Sequence, residues 1–332
     1  MCKKDKILII GGAGFIGSHM VKMLSQNKKE VIILDNLSSG HEYLITAGTL
    51  IKGDMGNIKD YEYIFQNYNI NLVIHFASSS LVGESVKEPL KYYYNNVSKT
   101  ITLLKLMKKY NIKKIIFSSS AAIFGNPEKI PIDEDCPLNP ITPYGRSKLM
   151  IEEILRDCDK SWGLKYISLR YFNAAGADLD AQIGEDHNPE THLIPTVLQV
   201  VLNLRKNIEI YGTDYPTYDG TCIRDYIHVN DICRAHLLGM EYLDCNNKSQ
   251  IFNIGNGEGF SVKEVIETAQ VITNSSIPYI KSDRRYGDAV HLVASSKKIQ
   301  KELGWSPQIP DLKSIIKSAW TWHKKQYNKN YK

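Results

Sequence analysis

A tyrosine and a lysine four residues apart, Tyr144 and Lys148, are the side chains best suited to proton transfer. Thr142 followed by Pro143 is typical of a helix start, so both side chains are expected on one face of that helix. Tyrosine has an ordinary pKa of about 10, and a nearby cation favours its ionised form. The pair therefore predicts a base that removes a proton from a hydroxyl group.

A serine-rich segment that ends a predicted strand precedes this pair. Ser120 closes the run Ser118-Ser119-Ser120, and ligands bind at the carboxyl ends of parallel strands. Ser120 is therefore the candidate relay between Tyr144 and a substrate oxygen. A Tyr-x-x-x-Lys match alone usually marks two exposed helix residues, but this strand end and the turn described next favour catalysis.

A glycine-rich turn follows the first apolar run, with the spacing G-x-G-x-x-G at Gly12, Gly14 and Gly17. Such glycines let the backbone approach a pyrophosphate, and the amides of the helix that follows hold its oxygens. Asp35 lies about 20 residues on, where a carboxylate accepts hydrogen bonds from a ribose diol and repels a 2′-phosphate. We therefore expect NAD as the cofactor, with Asp54 near the adenine amino group.

The elements around these residues predict an α/β fold. Short apolar runs alternate with amphipathic stretches, which is typical of βαβ units on a doubly wound, Rossmann-type parallel sheet. The predicted strands are Ile7–Ile10, Val31–Leu34, Leu72–Phe76, Lys114–Ser118 and Tyr166–Leu169, and the predicted helices lie around 15–27, 57–68, 93–110 and 143–160.

Beyond about residue 172 the chain becomes richer in Gly, Pro, Asn and Asp. We predict an NAD-binding domain over residues 1–172 and a smaller mixed α/β substrate-binding lobe over residues 173–332. The stretch at about 226–243 is expected to return to the main sheet.

Composition excludes several other classes of protein. The net charge of +5 is spread over scattered lysines, which argues against nucleic-acid binding, and no run approaches the ~20 apolar residues of a membrane helix. Six cysteines show no C-x-x-C spacing and are expected to be reduced. The short apolar run near the amino terminus does not resemble a secretory signal, so we expect a cytoplasmic protein.

A metal site is a further possibility, because His187, Glu190 and His192 lie within six residues. Their spacing does not match helical or zinc-finger patterns. The prediction is a polar substrate loop, no metal, and activity that is unchanged by chelation.

Dense motif matches along nearly the whole chain resemble the extended short-chain dehydrogenase/reductase family, and within it the sugar-nucleotide 4-epimerases. The matches include Gly11–Ser18, Ile32–Asn36, His75–Ala77, Asn95–Val97, Phe117–Ala121, Pro143–Lys148, Arg170–Asn173, Arg224–Val229 and Arg284–Asp288. The resemblance implies that Tyr144, assisted by Ser120, takes the proton of a sugar 4-hydroxyl while bound NAD takes hydride from C4. The 4-keto sugar would then turn and receive the hydride on its other face.

The resemblance also implies the binding residues. Those for NAD are Gly11, Gly14, Phe15, Ile16, Gly17, Asp35, Asn36, Asp54, Met55, Phe76, Ala77, Ser80, Asn95, Ser118, Tyr144, Lys148 and Tyr171. Those for a UDP-sugar, UDP-galactose or UDP-glucose, are Ser120, Asn173, His192, Leu193, Tyr211, Arg224, Arg285 and Asp288. A homodimer through the stretches 93–110 and 143–160 is expected.

Three positions depart from the family pattern. Ser80 stands where some members carry a lysine, which removes one charge from the nicotinamide side. Phe124 replaces a frequent tyrosine and is expected to pack in the interior. Leu292 lies where side-chain size governs acceptance of an N-acetyl group, and its intermediate size is compatible with either substrate pair.

Two alternatives are weighed. Sugar-nucleotide 4,6-dehydratases and decarboxylases share the glycine turn and the Tyr/Lys pair, but the dehydratases carry an acid pair after the strand end, where this chain has Ala121 and Ala122. A non-catalytic NAD-binding sensor or scaffold could keep the fold. The intact Ser120, Tyr144 and Lys148 favour an enzyme.

Overall fold

A seven-stranded parallel sheet forms the centre of the protein, whose residues 5–331 are described by a computed structural model. Its strands, numbered in chain order, are β1 (Lys6–Ile10), β2 (Val31–Asp35), β3 (Thr49–Lys52), β4 (Ile70–His75), β5 (Lys114–Ser120), β6 (Lys165–Tyr171) and, later, β11 (Gln250–Ile254). Their order is β11-β6-β5-β4-β1-β2-β3. The order reverses direction at β1, so the sheet is doubly wound and the predicted fold class is confirmed.

The helices cover both faces of this sheet and build the second half of the chain. They are α1 (Phe15–Gln26), α2 (Ile58–Asn67), α3 (Val82–Lys87), α4 (Pro89–Tyr92), α5 (Lys99–Lys109), α6 (Pro143–Trp162), α7 (Leu193–Val201), α8 (Val229–Asn246), α9 (Val262–Thr273), α10 (Lys297–Leu303) and α11 (Leu312–Tyr331). A π-helical turn at Tyr93–Ser98 joins α4 to α5, so the helix predicted over 93–110 is present with an irregular start.

Alternate residues of each central strand enter two separate cores. In β1, Ile7 and Ile9 pack on one side of the sheet, and Leu8 and Ile10 pack on the other. All four are buried, because side chains alternate along a strand and helices cover both faces here. This double burial produces the continuous apolar runs seen in the sequence.

The second half of the chain adds small sheets and a third core. The remaining strands are β7 (Asn173–Ala175), β8 (Ile208–Tyr211), β9 (Ile223–Arg224), β10 (Tyr226–His228), β12 (Phe260–Ser261), β13 (Tyr279–Ser282) and β14 (His291–Leu292). They form the sheets β10-β7, β13-β8 and β12-β9-β14. The third core involves residues of α7, α9 and α11, as a mixed α/β lobe requires.

The stretch 226–243 was expected to return to the main sheet, and its helical part packs on two strands of that sheet, β5 and β6. Residues 226–228 form β10, which pairs with β7, while α8 packs against α1, β5 and β6. The strand that does join the main sheet is β11, which pairs with β6. The domain boundary at 172/173 stays a prediction.

The described residues carry no helix with the length and apolarity needed to cross a bilayer. Five cysteines are free, at positions 136, 158, 222, 233 and 245. Cys2 lies outside the described residues.

Candidate active site

A cavity of about 1560 Å³ opens at the carboxyl ends of the parallel strands. Its wall includes the glycine turn after β1, the ends of β4 and β5, the start of α6, the start of α7 and the loop between β13 and β14. Of the residues predicted above for catalysis, for NAD or for the UDP-sugar, all but Gly12 of the glycine turn line this cavity. The structure thus brings the predicted site residues together, while their individual roles stay predictions.

The glycine turn is shaped by contacts that leave no room for side chains. A Cβ on Gly11, whose φ is +83°, would lie 2.6 Å from the backbone nitrogen of Ala77, and one on Gly17 would lie 2.1 Å from the carbonyl oxygen of Gly11. A Cβ on Gly14 would meet only that oxygen, at 3.6 Å, because Gly14 borders the open cavity at the start of α1. This cradle fits a dinucleotide pyrophosphate.

Asp35 ends β2 beside this turn with its carboxylate fixed by two backbone amides. Ala13 N donates to Oδ2 and Leu37 N donates to Oδ1, each at 2.8 Å. Each carboxylate oxygen can accept a further hydrogen bond. Asp35 therefore fits a ribose diol, as the sequence predicted.

Asp54 is held at the same end of the cavity by a lysine that sequence reasoning missed. Lys99 Nζ lies 2.7 Å from Asp54 Oδ2, and Asn36 Nδ2 donates to the same oxygen at 3.0 Å. Although partial burial opposes ionisation, hydrogen bonds from Lys99, Gly56 and Asn36 hold the pKa of Asp54 below its usual value. No local pattern links Lys99 to Asp54, which lies 45 residues earlier.

Tyr144 lies in the first turn of α6, where the predicted helix start is confirmed. Thr142 is the N-cap, and its Oγ1 accepts a hydrogen bond from Gly145 N at 3.2 Å. Burial raises the pKa of Tyr144, while a hydrogen bond with Ser120 acts in the opposite direction. The serine of the predicted relay is thus close enough to Tyr144 to influence its pKa.

Lys148 is almost fully buried one turn further along α6, with 2% of its surface exposed. Its Nζ donates to the Ser118 carbonyl oxygen at 2.8 Å and lies 5.7 Å from the centre of the Tyr144 ring. Burial lowers the pKa of Lys148 to about 7, although Glu152 acts against this shift. The protein alone thus lowers the lysine pKa and raises the tyrosine pKa, so the expected lowering of the tyrosine pKa needs additional positive charge.

The end of β5 is fixed by hydroxyl groups and by a buried carboxylate. Ser120 Oγ accepts a hydrogen bond from Ala122 N at 3.1 Å, which leaves its own proton to donate. Glu152, fully buried on α6, accepts from Ser119 Oγ at 2.6 Å and pairs with Arg170 at 2.7 Å. Sequence reasoning missed Glu152, although its position four residues after Lys148 places it on the same helical face.

The end of the cavity wall formed by residues of the second half of the chain carries two arginines, Arg224 and Arg285. Arg285 pairs with Asp288 through two contacts of 3.1 Å, and its guanidinium lies 5.1 Å from the centre of the Tyr211 ring. Arg224 donates to the Ile223 carbonyl oxygen at 2.9 Å and borders the same space. Guanidinium groups match the oxygens of a diphosphate, so this end fits the nucleotide part of a substrate.

Of the three positions that depart from the family pattern, two border the cavity and one lies in the protein interior. Ser80 is exposed in the loop after β4 and borders the cavity. Phe124 is 1% exposed in an apolar cluster, which confirms its packing role. Leu292, in β14, pairs with Arg224 in β9 and lines the cavity.

The loop before α7 gathers four ionisable side chains at the cavity wall: Glu185, His187, Glu190 and His192. Although burial opposes protonation, Glu185 and Glu190 raise the pKa of His187 to about 10. The two histidines in turn hold the pKa of Glu190 below its usual value against the effect of burial. Sequence reasoning named three of the four and missed Glu185.

A doubly wound sheet with a glycine turn, together with Tyr144, Lys148 and Ser120 in one cavity, defines a dinucleotide-dependent enzyme of the Rossmann class. A family model described as the NAD dependent epimerase/dehydratase family matches residues 7–255. The chain belongs to this family, and the predicted cofactor, NAD, is confirmed.

Relatives of known activity cover nearly the whole chain. A UDP-glucose 4-epimerase of Halalkalibacterium halodurans is 52% identical over 96% of this chain and 95% of its own. The structure of UDP-glucose 4-epimerase from Brucella ovis in complex with NAD is 42% identical, with a TM-score of 0.93 and coverage of 96% of this chain and 98% of that one. The Bifidobacterium longum enzyme with NAD+ and UDP is 38% identical, with a TM-score of 0.93 over 98% and 99% of the two chains.

Proposed function

We propose that this protein interconverts UDP-glucose and UDP-galactose by reversible epimerisation at C4 of the sugar. One observation carries the proposal: Ser120, Tyr144 and Lys148 line the same cavity as the glycine turn and the two arginines Arg224 and Arg285. The names of the relatives at 52% and 42% identity support the same activity.

In this reaction the protein's own groups move a proton and hold the sugar. Tyr144 Oη takes the proton from the 4-hydroxyl, and Ser120, which lines the same cavity, hydrogen-bonds the same sugar oxygen. Bound NAD would supply the hydride acceptor and donor for C4 and a positive charge that favours ionised Tyr144. The proton on Tyr144 would then return to O4, and because C4 regains the hydride that it lost, the sugar undergoes no net oxidation.

Epimerisation requires the 4-keto sugar to turn without leaving. Arg224 and Arg285 anchor the diphosphate, and Asp288 and Asn173 bind near the uridine, so the sugar is the part free to rotate. Because the nucleotide is unchanged by the reaction, tight binding at this end does not oppose turnover. Leu292 lines the same cavity, and the family resemblance implies that its size governs acceptance of an N-acetyl group.

The end of β5 lacks the acid and the base that a dehydratase needs for its elimination step. Residues Ala121–Ile123 form a short 3-10 turn directly after Ser120, and neither Ala121 nor Ala122 can act as an acid or a base. We therefore favour the epimerase over the dehydratase and decarboxylase alternatives of the same family.

Replacing Tyr144 by Phe tests the proposal against a non-catalytic NAD-binding protein. The variant keeps the ring and loses only the hydroxyl, so NAD content should match the parent's while the rate of UDP-galactose conversion falls by about 10²- to 10⁴-fold. The parent is incubated without added NAD, once with UDP-galactose and once with each N-acetylated UDP-sugar. The products are then identified by NMR. A variant as fast as the parent, or a deoxy or decarboxylated product, would contradict the proposal.

We also infer a homodimer formed through α4, the π-helical turn and α6. Leu90 is 80% exposed, Tyr94 65% and Met150 42%, and these three large side chains lie on elements that pack together. Such exposed apolar groups favour burial against a second copy. Light scattering should give twice the monomer mass; a monomeric mass would refute this inference.

Localisation in the cytoplasm stays a prediction that cell fractionation tests.

A further inference from the structure

Four side chains in the loop before α7, Glu185, His187, Glu190 and His192, form a compact group that we call the Glu/His cluster. One potential ligand atom from each residue lies within 4.8 Å of the others. Nothing in the proposed epimerase chemistry uses two carboxylates and two imidazoles in this arrangement.

The distances inside the Glu/His cluster resemble the edges of a metal coordination polyhedron. His192 Nδ1 lies 3.0 Å from Glu185 Oε1 and 2.9 Å from Glu190 Oε1. His187 Nδ1 lies 3.5 Å from Glu185 Oε1 and 3.4 Å from Glu190 Oε2. Ligands about 2.0–2.2 Å from a tetrahedral Zn²⁺ are about 3.3–3.6 Å apart. Small movements of the side chains would therefore complete such a site.

The burial of the two carboxylates is a second, independent observation. The side chains of Glu185 and Glu190 are only 4% and 3% exposed. Glu190 Oε2 and His187 Nδ1 are buried and form an ion pair at 3.4 Å, but neither has a hydrogen bond of good geometry with any described residue. His187 balances the charge of this carboxylate, but neither atom has a well-formed hydrogen bond, and a bound cation would coordinate both.

We propose that the Glu/His cluster binds one divalent transition-metal ion of the Zn²⁺ class. Two carboxylates balance the charge of a dication, and imidazole nitrogens favour zinc and its neighbours over Mg²⁺ and Ca²⁺, which prefer oxygen ligands. The prediction from the sequence was that no metal binds, because the spacing along the chain is irregular. The folded loop adds Glu185 and brings all four side chains together, which reverses that expectation.

The site would act on the shape of the cavity and not on hydride transfer. His192 directly precedes α7, and Leu193, its first residue, borders the cavity. A metal ion held by Glu185, His187, Glu190 and His192 would tie the loop to the start of α7. The expected benefit is a more stable loop on the nucleotide side of the cavity.

Metal titration of the NAD-containing full-length protein tests this proposal. After dialysis against a chelator, the parent should take up one Zn²⁺ per chain in calorimetry and in elemental analysis, and its melting temperature should rise with Zn²⁺. Glu190→Gln and His187→Asn should each weaken Zn²⁺ binding by at least about tenfold. Glu267→Gln, the same substitution at an exposed position of α9, serves as the matched control and should bind like the parent.

Three outcomes would overturn the proposal. If the parent takes up no Zn²⁺, the Glu/His cluster is only a network of ion pairs between protonated histidines and carboxylates. If Zn²⁺ binds equally well to the parent and to both variants, the metal lies elsewhere. The absorption spectrum of the Co²⁺-loaded parent tests the coordination geometry without any substitution. Weak octahedral absorption in place of strong tetrahedral bands would contradict the proposed four-ligand site.

Discussion

At the scale of single residues, burial determines the charge of the catalytic pair. Tyr144 and Lys148 both lie in an environment that favours their neutral forms, because burial raises the pKa of the tyrosine and lowers that of the lysine. The hydrogen bond from Lys148 to the Ser118 carbonyl oxygen fixes the position of the ammonium group. The cofactor's positive charge is therefore needed to make Tyr144 an effective base.

The buried lysine should make stability depend on pH. Burial lowers the pKa of Lys148 from 10.5 to about 7, so between these values the unfolded chain binds more protons than the folded one, and stability rises with pH. In NAD-free protein, the free energy of unfolding of the parent minus that of Lys148→Met should increase by on the order of 2 kcal/mol from about pH 7 to about pH 9. Urea unfolding at the two pH values measures it; a constant difference would show that Lys148 keeps its ordinary pKa in the fold.

At the scale of elements, the sequence predicted those parts whose signal is local. Buried strands such as β1 appear as apolar runs, and Thr142-Pro143 marks the start of α6. The strand β3 was missed because it is short, partly exposed and carries a single apolar pair. Contacts such as Lys99 with Asp54 were missed because only the folded sheet brings their elements together.

The glycine turn offers a test of how tightly α1 packs on β1. In Gly17→Ala the new Cβ would lie 2.1 Å from the Gly11 carbonyl oxygen, so α1 must move away from the turn. NAD affinity should fall at least about tenfold, and the free energy of unfolding should decrease by about 1–3 kcal/mol. Bound NAD per chain and thermal unfolding measure both effects.

Gly239→Ala is the matched control for this substitution. Gly239 lies inside α8, and a Cβ there would meet its nearest neighbour, Ile167, at an ordinary 3.5 Å. This variant should bind NAD like the parent. Equal NAD binding by Gly17→Ala and Gly239→Ala would mean that the turn does not hold the cofactor.

At the scale of the whole molecule, the cavity joins two groups of residues that are far apart in the chain. The first half supplies the glycine turn, Ser120 and Tyr144, and the second half supplies Arg224 and Arg285. The sequence could name these residues through family resemblance, but their convergence depends on how the small sheets pack against the main one. That packing has no local signal in the chain.

Two adjacent arginines test the nucleotide end of the cavity. Arg285 borders the cavity, whereas Arg284 pairs with Asp214 at 2.8 Å and lies over the Tyr215 ring. Arg285→Ala should weaken UDP binding by about 10- to 100-fold, since hydrogen bonds to charged groups contribute about 1.5–3 kcal/mol. Arg284→Ala should retain most of the affinity. Calorimetric titration with UDP measures both, and equal losses would remove the assigned role of Arg285.

The most direct test of the central claim follows the hydrogen atom on C4. UDP-glucose carrying deuterium at C4 is incubated with the purified protein in ordinary water without added NAD, and the UDP-galactose formed is analysed by NMR. Hydride removed and returned by tightly bound NAD predicts that the deuterium is retained at C4 of the product. Product carrying solvent hydrogen at C4 would contradict the mechanism, because it would show that C4 loses a proton instead of a hydride.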